Sequence, residues 1–586
     1  MKFLGNVLAV IVGLLVFSVL SFFILAGIIA IASSSDSDVK IKENTVLVLN
    51  LNGRTIVERT NDDDIDLSSF GPFGSAPTIG LMNLKTAINT AKDNENVKGI
   101  YLRSGMLFAG QSMLEELRNE LQAFRNTGKF IIAYDEIYTE SAYFLNSVAD
   151  EVYLNPQGGI EYNGFSSEII FFKGLFEKLE IEPVVFRVGE FKSAVEPFLL
   201  DKMSEENRLQ TASFLNDLND FAISKVAESR GIAYDSLKVI NSKMLVRKNK
   251  DALEYGLVDG LWYEDQVRNL IKEKLGLEED DKFNTINVTT INKNAKAKNR
   301  LSKNKIAVII AEGEIVSGKA DGVIASESLV QEINKAKNDK DVKSIVLRVN
   351  SPGGSALASE VIWRALGEAK KEKPLIASMS ELAASGGYYI SAPADTIIAQ
   401  PNTITGSIGI FGLWFNAEGL LKNKMGITTD VVKTGELSDF LSVTRKLTDI
   451  EKSIYQETIE DGYDTFISRV AEGRGMSKEE VLQVAGGRVW SGIQAKENGL
   501  VDLLGSLEDA IAIAAQKAEV ADDYKVVYYP QQKPWFETLL ASLGNDVQSR
   551  YMKNKFGDLY PVIHQVEGLK KYEGALYRTP FDIVIK

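Results

Sequence analysis

The sequence predicts an α/β protein: two tandem copies of one domain, made by internal duplication and preceded by one transmembrane helix. Three observations predict it. An uncharged apolar run lies near the N-terminus. A long internal repeat covers most of the remaining chain. Within each copy, short apolar runs alternate with amphipathic stretches.

The apolar run extends from Val7 to Ala32 and reads VLAVIVGLLVFSVLSFFILAGIIAIA. As a helix it would be about 39 Å long, enough to cross a bilayer with some tilt. Ala30-Ile31-Ala32 also resembles a signal-peptide cleavage site, but such peptides carry apolar stretches of only about 7–15 residues. A retained anchor in residues 1–35 is therefore expected. Lys2 before the span, with Asp36 and Asp38 after it, orients the N-terminus to the cytoplasm and the body outward.

The repeat begins with VKGIYLR (97–103), which returns as VKSIVLR (342–348). At the same separation Glu136 falls on Glu381, Tyr143 on Tyr388 and Ala149-Asp150 on Ala394-Asp395. Gly189-Glu190 resembles Gly435-Glu436, and YGLVDG (255–260) resembles NGLVDL (498–503). A repeat this long is a duplicated domain, not a solenoid unit. In the second copy KIAVIIA (305–311), SIVLRV (344–349) and PLIASM (374–379) read as buried strands, and 356–371 reads as a helix. That alternation implies parallel pairing. The expected boundaries are 43–284 for the first copy, 285–304 for a polar, basic linker, 305–520 for the second copy and 521–586 for a C-terminal extension.

Composition narrows the chemistry. Of 586 residues, 45% are apolar and 25% charged, which is ordinary for a globular chain. The net charge of −14 argues against a nucleic-acid surface. With no cysteine, disulfides, thiolate metal sites and cysteine nucleophiles are excluded. A single histidine, His564, rules out a multi-histidine metal site within one chain. No metal and no cofactor are expected. Any serine nucleophile needs a base other than histidine, unless His564 itself reaches back from the tail.

The two copies differ where chemistry could sit. Ser385-Gly386-Gly387 lies opposite Glu140-Ser141-Ala142, and Ser351-Pro352-Gly353-Gly354 opposite Met106-Leu107-Phe108-Ala109. Conversely, Lys192 in RVGEFKSAVEPF (187–198) falls opposite Ser438. Glycine-rich loops alone are usually turns, and a lone lysine is usually a surface lysine. Complementary losses instead fit one site assembled from both halves. Lys192 sits among Val184, Val185, Phe186, Phe191, Val195 and Phe198. A lysine is a base only when neutral, which near pH 7 needs a fall of roughly three units from about 10.4. Apolar burial can supply it, while Glu190 or Glu196 nearby would oppose it. Ser385 follows a predicted strand and opens a predicted helix, so free N–H groups are available for an oxyanion at Gly386, and at Gly354 in a neighbouring loop.

The stretches FKSAVEPF (191–198), NSPGGSALASE (350–360), AASGGYY (383–389) and TGSIGIFG (405–412) carry a resemblance. The chain resembles the long-form signal peptide peptidase A family, membrane-bound Ser-Lys serine proteases of the ClpP/crotonase superfamily. The likeness covers residues 1 to 510. It implies two ClpP/crotonase-like repeats, Ser385 as nucleophile, Lys192 as general base, and Gly354 and Gly386 as oxyanion-hole donors. It implies that Ser407 orients the lysine; the alternative for Ser407 is a turn serine between glycines. It implies cleaved signal peptides and other apolar peptides as substrates, a homotetramer, and a body on the periplasmic side of a bacterial inner membrane. Two rival readings share the fold: a crotonase-like acyl-CoA enzyme, and a non-catalytic membrane scaffold.

Overall fold

The computed structural model describes residues 12–17, 20, 40–60, 77–298, 302–531 and 574–578. His564 and most of the predicted anchor lie outside them. Within the anchor, residues 12–17 are helical, with Val12, Leu14, Leu15, Val16 and Phe17 exposed. Among the described residues no helix is long and apolar enough to cross a membrane.

Each copy is built on a six-stranded parallel path, and the two paths correspond strand for strand. The first runs Gly260–Leu261, Glu151–Ile160, Phe130–Tyr138, Val97–Arg103, Thr45–Asn50, Asn284–Ile286. The second runs Leu503–Leu504, Thr396–Ala399, Leu375–Ala384, Val342–Ser351, Lys305–Glu312, Lys525–Tyr529. The central strands are rich in β-branched residues and buried over most of their length, as parallel strands covered by helices must be.

Polar anchors repeat as well. The Tyr143 hydroxyl donates to Leu257 O at 2.8 Å, and the Tyr388 hydroxyl to Leu500 O at 2.9 Å. Asp150 accepts from Ile131 N and Asp395 from Leu375 N, both at 2.8 Å. Each copy has a 26-residue helix, Glu205–Arg230 or Asp449–Arg474. Ser204 and Thr448 cap their N-termini, each accepting a backbone N–H that the helix itself leaves unpaired.

Two expected boundaries need correction. Residues 285–304 are not simply a linker: Asn284–Ile286 pairs with Thr45–Asn50, and the helix Val288–Lys298 packs on the helix Leu81–Asp93, burying Ile291. The second copy does not end at 520, because Lys525–Tyr529 pairs with Lys305–Glu312 as the counterpart of Asn284–Ile286. Each sheet thus closes with an edge strand that sequence spacing assigned elsewhere.

One apolar cluster spans both copies. Ile306, Val308, Val346 and Ile376 of the second cluster with Leu84, Leu114 and Leu117 of the first. Crossing it is a buried charge cluster. Arg348 reaches Glu58 at 2.9 Å and Glu116 at 2.8 Å, with both ends fully buried, and Lys85 reaches Glu116 at 2.6 Å. Burial pushes the Glu116 carboxyl up, but Arg348 and Lys85 outweigh that and hold it down at about 2.

A third sheet joins the copies. Its order is Ile324–Ala325, Ile315–Val316, Gly353–Ser355, Gly574–Arg578, Ile410–Asn416, Glu182–Val188. The last member comes from the first copy. It pairs antiparallel with Ile410–Asn416 over seven consecutive residue pairs, from Ile410 opposite Val188 to Asn416 opposite Glu182.

Candidate active site

That shared strand carries Lys192 across. After Val188 the chain turns at Gly189, and Lys192 precedes the short helical turn Ser193–Val195. The turn is held from both copies. Phe191 N donates to Gly486 O at 3.0 Å. The Gln210 amide donates to Phe191 O at 3.1 Å and to Ser193 Oγ at 3.0 Å, while its oxygen accepts from Val489 N at 3.2 Å. At Gly487 (φ +82°) a Cβ would come within 2.7 Å of Lys192 N and Cβ, so only glycine fits against the lysine stem.

Ser385 sits between the strand Leu375–Ala384 and the helix Gly386–Ser391. Its φ of 55° and ψ of −114° are strained for a residue with a Cβ, a cost of order 1–3 kcal/mol. Ser385 N donates to Gly406 O at 2.8 Å, and Tyr389 N donates back to Ser385 O at 2.8 Å. The strain is thus held from two sides and turns the hydroxyl toward the strand-derived lysine.

Lys192 Nζ lies 2.8 Å from Ser385 Oγ. It donates to Ser407 Oγ at 3.0 Å and to Ser407 O at 3.1 Å. Lys192, Ser385 and Ser407 are all fully buried. Burial drives the Lys192 amine well below the usual lysine range. The opposing carboxylates do not reach it. Glu190 is exposed, and Glu196 accepts instead from Ser204 and Asn207. A neutral amine has two N–H groups and one lone pair. Two donors directed at Ser407 leave the lone pair for the Ser385 hydroxyl, while the Gly409 carbonyl, at 3.5 Å, is too far to compete strongly.

Gly386 is the first residue of the helix that Ser385 caps, so its N–H has no intrahelical acceptor. Gly354 lies on Gly353–Ser355, which packs against that helix. With φ at +152°, a Cβ on Gly354 would lie 2.1 Å from Ile315 O, so glycine is required there too. All five residues singled out from sequence come to one locality, within one chain. Gly487 and Gln210 escaped that reading; the paired glycines in AGGRVW (485–490) were the available signal.

A buried serine hydroxyl against a buried lysine amine whose affinity for a proton is lowered, beside a helix start and a glycine strand, is the equipment of a serine hydrolase. The comparisons with known proteins make the class specific. The pattern of peptidase family S49 matches residues 123–278 and 368–521, together more than half of the chain and one segment in each copy. "Protease 4" of Haemophilus influenzae is 35% identical over 90% of this chain and 89% of its own length. "Serine protease SPPA, chloroplastic" of Arabidopsis thaliana is 31% identical over 87% of this chain and 74% of its own. "Putative signal peptide peptidase SppA" of Enterococcus faecium is 34% identical over 46% of this chain and 82% of its own. The chain belongs to peptidase family S49 and is a serine protease.

Proposed function

We propose that the chain is a membrane-anchored endopeptidase in which Ser385 is the nucleophile and Lys192 the general base. The observation that carries this reading is the 2.8 Å contact between a fully buried lysine and Ser385 Oγ. Lys192 takes the hydroxyl proton as Ser385 Oγ bonds to the scissile carbonyl carbon. The oxyanion is met by the N–H groups of Gly386 and Gly354. Lys192 then returns the proton to the departing amine as the C–N bond breaks. Water deacylates the ester by the same route in reverse order. Ser407 keeps the amine oriented throughout.

The substrates are apolar peptides, with cleaved signal peptides the leading class, as the name of the Enterococcus faecium relative indicates for that protein. The apolar run Val7–Ala32 supports a single-pass anchor, with the body on the periplasmic side of a bacterial inner membrane. The two repeats are of the ClpP/crotonase type.

A homo-oligomer, a tetramer by resemblance, is supported by an incomplete pairing. Glu182–Val188 and Ile410–Asn416 satisfy each other within the chain. Their repeat counterparts, residues 428–434 and 165–171, form no ladder among the described residues and leave Val432 at 97% and Ile170 at 67% exposed. Pairing those two segments between chains repeats the internal contact head to tail, the kind of contact that closes a ring when its rotation does.

A serine-reactive phosphonate tests the site directly. Ser385 is expected to be labelled, with labelling abolished in Lys192→Met. Labelling elsewhere, or equal labelling in Lys192→Met, would sink the dyad. Light scattering of the detergent-solubilised chain reads the assembly, and a monomer would remove the ring.

A further inference from the structure

The third sheet contains a strand from the far end of the chain. Gly574–Arg578 runs antiparallel to both neighbours, with Gly354 opposite Tyr577 and Phe411 opposite Leu576. Both neighbours frame the site: one carries Gly354, and the other begins immediately after Gly409. A peptide offering a carbonyl to the Gly354 N–H has to lie along this line, as a strand added between two edges. The groove therefore already holds an occupant, and its contacts show what the groove reads. Leu576 is buried with Phe176, Phe198, Phe411 and Leu413. Two residues on, with the same-face spacing of a strand, Arg578 is 3% exposed and ion-paired with Glu314. A guanidinium withdrawn from water is tolerated only with such a partner. Glu314 stands just before Ile315–Val316, the strand flanking Gly353–Ser355 on its other side.

We propose that Glu314 is a specificity-determining residue, selecting a lysine or arginine two positions after an apolar anchor in the bound peptide. The chain's own Gly574–Arg578 occupies the groove as a resident stand-in and must leave before a substrate enters. The proposal rests on the site assigned above.

The test reads binding rather than turnover. It uses the full chain carrying Ser385→Ala and fluorescence anisotropy with two labelled probes. One is the octapeptide GALYRTPF, copied from residues 574–581. The other carries glutamate in place of its arginine. Adding Arg578→Glu expels the resident strand and is expected to tighten GALYRTPF binding about tenfold. Adding Glu314→Lys instead is expected to reverse the preference between the probes, and Glu314→Gln to erase it. Combining Arg578→Glu with Glu314→Lys re-pairs the resident strand and returns binding to the weak parental level. Parental affinity in the Arg578→Glu chain, or an unchanged preference in the Glu314→Lys chain, overturns the proposal. Because Ser385 is absent from every arm, the outcome does not depend on its being the nucleophile. Hydrolysis of either probe by these chains would instead count against the dyad alone.

Discussion

The two copies share sheet order, helix lengths and polar anchors, yet equivalent positions have opposite surroundings. Arg103 and Arg348 end the same repeated motif. Arg103 is partly exposed and pairs with Glu264 at 3.2 Å, while Arg348 is fully buried between Glu58 and Glu116 of the other copy. Glu136 is exposed, whereas its counterpart Glu381 accepts from Ser112 N at 2.7 Å, at the start of the first copy's helix Gln111–Arg125. Glu140 caps local loops through Asn163 and Gly164, whereas Ser385 in its place meets Lys192. Divergence is concentrated where one copy faces the other. The scaffold is symmetric, and its internal interface is where the proposed site lies.

The sharpest way to break the comparison is at the dyad. Ser385→Ala and Lys192→Met are each expected to lower peptide kcat/KM by about 10³-fold or more. The counterpart changes Glu140→Gln and Ser438→Ala should leave it within about threefold. Activity of the parent should fall with acid as Lys192 becomes protonated, at a pH well below the ordinary lysine range. A rate that stays flat to low pH would remove Lys192 as the base.

The arginine pair comes next. Arg348→Met leaves Glu58 and Glu116 buried without their cation, a loss of about 3–5 kcal/mol in urea unfolding. Arg103→Met should cost less, about 1–2 kcal/mol, because its partner Glu264 is exposed and only Asp135, at 3.6 Å, is buried. Equal losses would mean that the buried cluster does not hold the copies together.

The glutamate pair gives the smallest effect. Burial pushes the Glu381 carboxyl from its ordinary 4.5 up to about 7, with the N–H groups of Ser112 and Gln111 offsetting part of that. Between those values the folded chain keeps a proton that the unfolded chain has released, so stability falls as pH rises through the window. Glu381→Gln should therefore gain more in Tm at pH 8 than at pH 4.5, by a few degrees.

Much of this was legible in the sequence because the repeat acted as its own control. Ser385 and Lys192 stood out as complementary losses, and the strands 305–311, 344–349 and 374–379 announced themselves as apolar runs. The edge strands did not. Asn284–Ile286 has three residues and no readable period, and its partner strand begins at Thr45, far away in the chain. Lys525–Tyr529 looked like a tail because its role depends on a sheet edge that only the fold creates. Gly487 escaped the sequence reading, since nothing local reveals that a lysine backbone will press against it.

The pairing of Glu182–Val188 with Ile410–Asn416 has a consequence in time. The lysine-bearing half leaves the ribosome first, and under the proposed dyad it holds a base with nothing to activate. The serine-bearing half comes second, and the proposed dyad does not exist until its strand has zipped onto the earlier one. On that proposal, cleavage of neighbouring chains cannot begin before this chain's own second half has been made and folded. Covalent continuity also fixes the ratio of the proposed base to the proposed nucleophile at one to one, with no separate subunits to balance.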